Sequence, residues 1–251
     1  MKSGNRRKGR PKGFYPSTSQ TTIQALDRAL NVLISLGSAN GMTLTEVAAE
    51  LGQSPATMYR ALATLEAREF VEMDPQKQEW HIGPMTFRLG SAFLRRSGVT
   101  ERSRPIMREL MEATGETSNL GIETNGEVMF VSQIETHAAI RAFFPPGTVS
   151  PMHASGIGKA LLSMYDKGRI ERFLQDRRLQ RFTERTIDDP TRLVEELKTV
   201  RTRGFAVDNE EKTTGMRCVA APILDFHGEA VAGISVSGPT HRMTAAEIDR
   251  I

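Results

Sequence analysis

The strongest constraint on the fold of this chain is a short turn between two helical segments near its N-terminal end. The run "MTLTEVAAELG" predicts a short helix that ends at Gly52. The run "QSPATMYRALATLEAREF" predicts the next helix, with Ser54 as its N-cap and Pro55 at its first position. Before both, "TTIQALDRALNVLISLG" has apolar residues at helical spacing and ends at Gly37. Three helices with a glycine-containing tight turn between the last two form a helix-turn-helix.

The third of these helices has the composition of a helix that reads DNA. Its inward stripe is apolar and consists of Met58, Ala61, Leu62 and Leu65. Its outward face carries small residues beside Arg60, whose guanidinium can hydrogen-bond guanine edges or phosphates. Thr57 and Tyr59 flank this face and Ser54 stands at its N-terminus, so we expect these four residues to contact DNA. A three-helix packing module with a solvated outer face is the alternative.

Two strand-like runs follow in "FVEMDPQKQEWHIG", on either side of the turn "DPQKQ". A hairpin at this place predicts the wing of a winged helix. We expect the DNA-binding domain to span residues 21–82, and the helical run "PMTFRLGSAFLRRS" to form a linker over residues 83–98.

Charge is distributed unevenly along the chain. Residues 21–82 hold four bases and eight acids, a balance that by itself argues against DNA binding. Residues 1–20 hold six bases and no acid, and their Gly, Pro and Ser content predicts disorder in isolation. The core of this tail, "KGRPK", is similar to an AT-hook, in which Arg10 enters a narrow A·T-rich minor groove. The tail therefore supplies phosphate attraction that the domain lacks, unless it is only a solvated leader.

The overall composition excludes several classes of protein. A chain of 251 residues with 39% hydrophobic residues is long enough for two domains. Its one cysteine, Cys218, excludes an intramolecular disulfide, and no apolar run approaches the roughly 20 residues that span a bilayer. The N-terminus has no signal-peptide core, so we expect a cytoplasmic protein with no membrane partner. The five histidines are scattered without ligand spacing, so we expect no metal site, and we expect no cofactor.

The second half of the chain mixes strands and helices irregularly, which is typical of an α+β domain rather than of repeated βαβ units. Strands are predicted in "SNLGIET", "EVMFVSQI", "AIRAFF", "GFAVD", "RCVAAPIL" and "AVAGISVS". Helices are predicted at 101–115, at about 156–165 and at 191–203. The closing "TAAEIDRI" looks like the first turns of a terminal helix, so we expect the C-terminus to be truncated.

Five segments, in order along the chain, resemble the IclR family of bacterial transcriptional regulators. They are "LTEVAAELGQSPATMYRALATLEAREFVE", "HIGPMTFRLGSAFL", "PMHASGIGKALL", "GFAVDNEEKTTGMRCVAAPILD" and "AVAGISVSGP". The motifs "HASGIGKALL" and "LQRFTERT" are closest to the family's glyoxylate-responsive repressors of allantoin genes. The resemblance implies a winged helix, a linker helix and an effector-binding domain over residues 99–251 with a mostly antiparallel curved sheet. It also implies dimers, commonly paired into tetramers, that bind a double-stranded DNA operator.

The resemblance further implies which groups line the effector cavity. These are the side chains and backbone amides of Gly156, Ile157, Asp208, Cys218, Ser235 and Ser237. Strand alternation in "AVAGISVS" places both serines on one face, and a helix that begins near Ser155 directs its first amides at an anion. By resemblance the effector is glyoxylate or a similar small carboxylate. The amides and hydroxyls would hold its carboxylate, Asp208 would accept a hydrogen bond from the hydrated aldehyde, and the thiol would contact the aldehyde carbon.

Three other interpretations remain open at this stage. Ordinary strand hydroxyls and a small buried cysteine need no ligand at all. An IclR-type regulator of aromatic-acid catabolism would bind a ring acid instead of glyoxylate. An enzyme with Cys218 as nucleophile, His153 as base and Asp208 as orienting group is a third interpretation. Catalysis would leave the winged helix and the basic tail without a purpose, so we expect the protein not to be an enzyme.

The basic tail generates the first prediction. Deleting residues 1–13 should weaken DNA binding and flatten its salt dependence, because each lost phosphate contact reduces the log–log salt slope by about 0.9. Effector affinity should not change. Fluorescence anisotropy with labelled DNA at several salt concentrations measures the slope, and a slope equal to that of the full chain would make the tail a solvated leader.

Overall fold

The computed structural model describes residues 23–251, except for the side chains of residues 96 and 97. The basic tail and Arg10 therefore lie outside the described residues. The chain divides into two compact units between Phe93 and Leu94, which we call the N-terminal and the C-terminal unit. Within the described residues, no helix has the length and apolar character needed to cross a membrane.

The N-terminal unit is a winged helix, as the sequence predicted. Its elements are α1 (Gln24–Ser38), β1 (Met42–Thr43), α2 (Leu44–Glu50), α3 (Pro55–Glu66), β2 (Val71–Asp74) and β3 (Glu79–Ile82). The strands form an antiparallel sheet in the order β1-β3-β2, with β2 and β3 as the wing. Gly52 has φ +59°, the left-handed conformation that the tight turn between α2 and α3 requires.

Side-chain caps fix where the helices of this unit begin. Thr43 and Glu46 form a capping box at the start of α2, and the Ser54 hydroxyl accepts the Thr57 amide at the start of α3. Met58 and Leu62 of α3 are buried against Trp80 and other core residues. The inward stripe predicted for α3 is therefore present, and its opposite face is left to solvent.

The apolar stripe of α1 is a different case. The residues of α1 that pack into the core are chiefly Val32 and Leu36, with Ser35 also buried. Ile23, Leu26 and Leu30, which the sequence places on one apolar face, are exposed by 69%, 56% and 49%. Much of this apolar face is thus available for contact with another surface.

The C-terminal unit is an α+β domain built on one six-stranded antiparallel sheet. Its strands are β4 (Thr117–Thr124), β5 (Glu127–Ile134), β6 (Val149–Pro151), β7 (Ala206–Asn209), β8 (Met216–Leu224) and β9 (Ala230–Pro239). Their order in the sheet is β6-β5-β4-β9-β8-β7. The helices of the rest of the chain are α4 (Pro84–Ser97), α5 (Val99–Thr114), α6 (Gly156–Ser163), α7 (Lys167–Asp176), α8 (Pro190–Arg203) and α9 (Ala245–Arg250).

One local prediction for this unit was wrong, and one helix was not predicted. Residues 139–144, "AIRAFF", form no strand. Phe144 instead stacks on Phe130 of β5 with ring centroids 4.8 Å apart, so the apolar character of this run serves packing. The helix α7 was not predicted, because its sequence is strongly charged and Phe173 is its one buried residue.

Glycines allow α6 to lie very close to the sheet. The side chain of Ile157 fills the space above Gly121 of β4 and Gly233 of β9, where a Cβ would approach it to 3.3 Å and 2.7 Å. A Cβ on Gly156 would meet the Cys218 sulfur at 2.7 Å. The N-terminus of α6 is thereby held directly against β8.

Candidate functional site

A small cavity of about 40 Å³ lies where the N-terminus of α6 meets strands β7, β8 and β9. Four of the six predicted effector residues line it, namely Gly156, Asp208, Cys218 and Ser237. Other lining residues were not predicted from the sequence and include Phe130, Phe144, Ser150, Ser155, Lys212, Thr213, Met216 and Arg217. A larger groove of about 510 Å³ beside α7 and α8 is lined by none of the predicted residues.

Strand register explains why three of these side chains meet. Asp208 of β7 is paired directly with Cys218 of β8, and Cys218 is paired with Ser237 of β9. Residues at directly opposed positions of adjacent strands project to the same face of a sheet. A carboxyl, a thiol and a hydroxyl therefore stand in one row across three strands, under the first turn of α6.

The other two predicted residues lie beside the cavity and do not line it. Ile157 contributes its backbone amide to the first turn of α6, while its side chain is buried on the sheet. Ser235 is also buried, and its hydroxyl accepts a weak hydrogen bond from the Asn119 amide at 3.5 Å. The same amide donates to the Ser237 hydroxyl at 3.2 Å, and the Asn119 carbonyl accepts from Gln133 at 2.9 Å. Asn119, which no sequence motif singled out, orients the serine hydroxyls.

The start of α6 is suited to an anion. Ser155 is its N-cap, and its hydroxyl accepts the Gly158 amide at 3.1 Å. The amides of Gly156 and Ile157 precede it in the first turn, where N–H groups have no acceptor within the helix. These amides and the helix dipole create a positive potential at the end of the helix that lines the cavity.

Asp208 is held by the turn that follows it. Its Oδ1 accepts the backbone amide of Glu211 at 2.8 Å, and its carboxylate also accepts the amide of Lys212. Burial nevertheless raises the pKa of Asp208 to about 6, because desolvation outweighs these hydrogen bonds. The side chain is thus a carboxyl whose proton is gained or lost near neutral pH.

The Cys218 thiol is a weak acid in this setting. Burial and, secondly, the negative charge of Asp208 raise the pKa of Cys218 to about 11, although Ser237 and Ser235 hydrogen-bond it. His153, the base of the enzyme hypothesis, contacts the Gln180 carbonyl through Nε2 at 2.9 Å and lines a different depression. Burial lowers the pKa of His153. The thiol is therefore protonated at neutral pH and the three groups do not form a catalytic set.

A buried lysine anchors the same region. Lys159 of α6 is fully buried, and its ammonium donates to the Glu211 carboxylate and to the Val207 carbonyl, each at 2.6 Å. Glu196 of α8 lies 3.5 Å away. Burial raises the pKa of Glu211 to about 7 despite this ion pair. The sequence analysis did not select Lys159, although a lysine within the apolar run "GIGKALLS" is a signal that could have done so.

The face of α3 expected to read DNA is open. Tyr59 and Arg60 are exposed, and Tyr59 is exposed by 57%. No carboxylate of the described residues lies within 4.0 Å of the Arg60 guanidinium. The Ser54 and Thr57 hydroxyls lie 2.9 Å apart, and the Ser54 hydroxyl caps the helix by accepting the Thr57 amide. The N-terminal half of α3, with its N-cap, therefore presents two hydroxyls and one free guanidinium to solvent.

Comparisons with known proteins agree in every part of the chain that they cover. Residues 25–75 match the IclR helix-turn-helix domain and residues 91–251 match the C-terminal domain of bacterial transcriptional regulators of the IclR type. The chain is 55% identical over 246 residues to the HTH-type transcriptional regulator BhcR of Paracoccus denitrificans (strain Pd 1222), covering 97% of this chain and 88% of that protein.

The chain is also similar to a repressor of known sequence and to a regulator of known structure. The chain is 36% identical over 240 residues to the HTH-type transcriptional repressor AllR of Escherichia coli (strain K12), covering 95% of this chain and 88% of AllR. The crystal structure of Thermotoga maritima IclR superposes with a TM-score of 0.75 at 28% identity, covering 90% of this chain and 92% of that one. These relatives are transcriptional regulators and not enzymes, and the predicted fold class is confirmed.

The pKa of Asp208 generates the second prediction, a dependence of stability on pH. Between about pH 4 and pH 6 the unfolded chain loses this proton while the folded protein keeps it, so the free energy of unfolding falls as the pH rises through this window. Asp208→Asn has no carboxyl proton, so this fall in the free energy of unfolding disappears. Its side-chain carbonyl oxygen can still accept the Glu211 amide. Between pH 4 and pH 7 we expect the variant to gain about 1–3 kcal/mol relative to the wild type.

Urea unfolding of both proteins at several pH values measures the difference. The exposed residue Asp176 provides a matched control in Asp176→Asn. A constant offset between Asp208→Asn and wild type at every pH would contradict the raised pKa.

Proposed function

Because this chain belongs to the IclR family of DNA-binding transcriptional regulators, we propose that it is a repressor whose operator affinity is controlled by glyoxylate or a similarly small oxo-acid. The effector binds in the cavity at the start of α6, and the protein acts on DNA in the cytoplasm. The observation that carries the proposal is the row Asp208, Cys218 and Ser237 beneath the first amides of α6.

The size of the cavity supports a small effector. Its volume of about 40 Å³ corresponds to roughly three water molecules. Glyoxylate or pyruvate replaces a few waters, whereas a benzoate ring requires the walls formed by Phe130 and Phe144 to move. The ring-acid alternative therefore carries a cost of rearrangement that the oxo-acid does not.

The chemistry of the walls assigns an orientation to the effector. The carboxylate accepts the amides at the start of α6 and the Ser237 hydroxyl, which are donors with no charge to repel it. Asp208 accepts a hydrogen bond from a hydroxyl of the hydrated aldehyde. Cys218 contacts the aldehyde carbon as a neutral thiol, because its pKa of about 11 disfavours the thiolate that would add to it.

DNA is read by α3 in this proposal. Arg60 contacts a base edge in the major groove, and Ser54, Thr57 and Tyr59 contact phosphates or a thymine methyl. The N-terminal tail, with Arg10, supplies phosphate attraction that the acidic winged helix lacks. The effector releases the operator by favouring the conformation of the protein that binds DNA less tightly.

Self-association follows from the exposed face of α1. Ile23, Leu26, Leu30 and Ile34 lie at helical spacing, and all four are exposed. A contiguous apolar face of this kind marks a protein–protein contact when it lies on a stable domain. We infer that the repressor is a dimer through this face, and that dimers pair into tetramers.

The third prediction concerns base reading. Arg60→Ala should abolish operator-specific binding and leave weak, salt-sensitive binding, because one bidentate guanine contact supplies about 1–3 kcal/mol of discrimination. Competition between operator and random DNA in gel shifts measures the ratio of affinities. Arg28→Ala on α1 is the control, and an Arg60→Ala protein with normal selectivity would remove Arg60 from base reading.

The fourth prediction tests the effector. Glyoxylate should bind the wild type and lower its operator affinity, while Asp208→Ala should weaken glyoxylate binding by about ten- to a hundredfold through loss of a charge-assisted hydrogen bond. Cys218→Ser should impair the response with DNA binding intact, since the two side chains differ little in volume. Asp176→Ala is the control.

Isothermal titration calorimetry followed by DNA release at rising effector concentration measures both steps. Pyruvate and benzoate are titrated in parallel. Tighter binding of benzoate than of either oxo-acid would favour the ring-acid alternative and reject glyoxylate.

A further inference from the structure

Lys212 is a cavity-lining residue to which the sequence assigned no role. It lies in the turn between β7 and β8, and it lines the same cavity as Gly156, Asp208 and Cys218. The turn is wrapped around the Asp208 carboxylate, which accepts the backbone amides of both Glu211 and Lys212. The backbone at Lys212 is therefore fixed relative to the row of side chains in the cavity.

The ammonium of Lys212 contacts an aromatic ring, and the carboxylates of Asp208 and Glu127 attract it only from a longer distance. Its Nζ lies 3.5 Å from the centroid of the Phe182 ring. No carboxylate oxygen lies within 4.0 Å of it in the part of the chain that the structure describes. Lys159, by contrast, is 2.6 Å from Glu211. A ring face stabilises a cation less than a carboxylate does, so the charge of Lys212 is available to a bound anion.

The charges around the cavity require such a cation. An anionic effector enters a site that already contains Asp208, and like charges at close range oppose binding. The ammonium of Lys159 is already paired with the Glu211 carboxylate. Arg217, the other basic residue of the lining, donates to Asn209 at 2.9 Å and to the Met243 carbonyl. The start of α6 contributes only about half a positive charge.

We propose that Lys212 is the specificity-determining residue of the effector site, where its ammonium pairs with the carboxylate of the effector and selects an acid over a neutral aldehyde. The inference rests on the proposed function, since it assigns a role within the same cavity. Phe182 acts as the resting position of the ammonium, from which a flexible side chain reaches the anion.

The test compares an acid with its neutral analogue. Sodium glyoxylate and glyoxylamide are titrated calorimetrically into the full-length wild type, Lys212→Met and Lys212→Arg. Lys212→Met should weaken glyoxylate binding by about ten- to a hundredfold, as expected for one lost charge-assisted pair, and should change glyoxylamide binding by less than about threefold. Lys212→Arg should retain most of the preference for the acid. Lys198→Met, at an exposed lysine of α8, is the control.

Each other outcome overturns the assignment. Equal weakening of both ligands with a lower melting temperature would make Lys212 a structural residue that holds the turn on Phe182. Unchanged affinity for glyoxylate would remove Lys212 from the site and leave the effector proposal intact. Absence of glyoxylate binding by the wild type would reject the effector itself, and with it this role of Lys212.

Discussion

The buried ion pair of Lys159 and Glu211 is the interaction on which the candidate site depends. An ammonium with no exposed surface is costly unless its partner stays in place, because removing either member leaves an uncompensated buried charge. The pair joins α6 to the turn between β7 and β8. Since the first amides of α6 and the Asp208 carboxyl belong to these two elements, the same contact fixes the distance between the anion-binding and the acidic sides of the cavity.

Two opposing electrostatic effects act in this small cavity: desolvation disfavours negative charge, and nearby positive groups favour it. Desolvation raises the pKa of Asp208 and of Cys218 and so opposes further negative charge in the cavity, while the helix end and Lys212 favour an anion. The site therefore has a net attraction for a negative ligand only when its few positive groups are correctly placed. If the proposed effector binds between α6 and this turn, a movement of α6 that changes its affinity is in turn favoured by its binding, because the coupling is reciprocal.

Local signals made the winged helix predictable, because Gly52, Ser54 and Pro55 each specify a backbone conformation on their own. The site was only partly predictable. Alternation along β9 and resemblance selected Ser237, yet the alignment of Asp208, Cys218 and Ser237 depends on register between strands, which a single sequence does not encode locally. Asn119, Lys159 and Lys212 contact partners that are distant in sequence, so their residue types alone did not predict their roles in the site. Residues 139–144 were assigned to a strand as a strand-like run that ends at a "PPG" turn, but Phe144 of this run stacks on Phe130 of β5 instead of extending the sheet.

In the proposed mechanism, the apolar face of α1 links effector binding in the C-terminal unit to DNA binding by α3. A helix that packs into its own core chiefly through Val32, Leu33 and Leu36 leaves a contiguous apolar face exposed, as at a protein–protein contact. In a symmetric dimer the same face of both copies is buried, and two copies of α3 are held at a fixed separation. Helix-turn-helix dimers read half-sites about one helical turn apart, so a change in this separation alters operator affinity without any change at Arg60. In the proposed mechanism an effector needs only to alter how two copies are held together, so occupation of a cavity of about 40 Å³ in a separate unit would be sufficient for control.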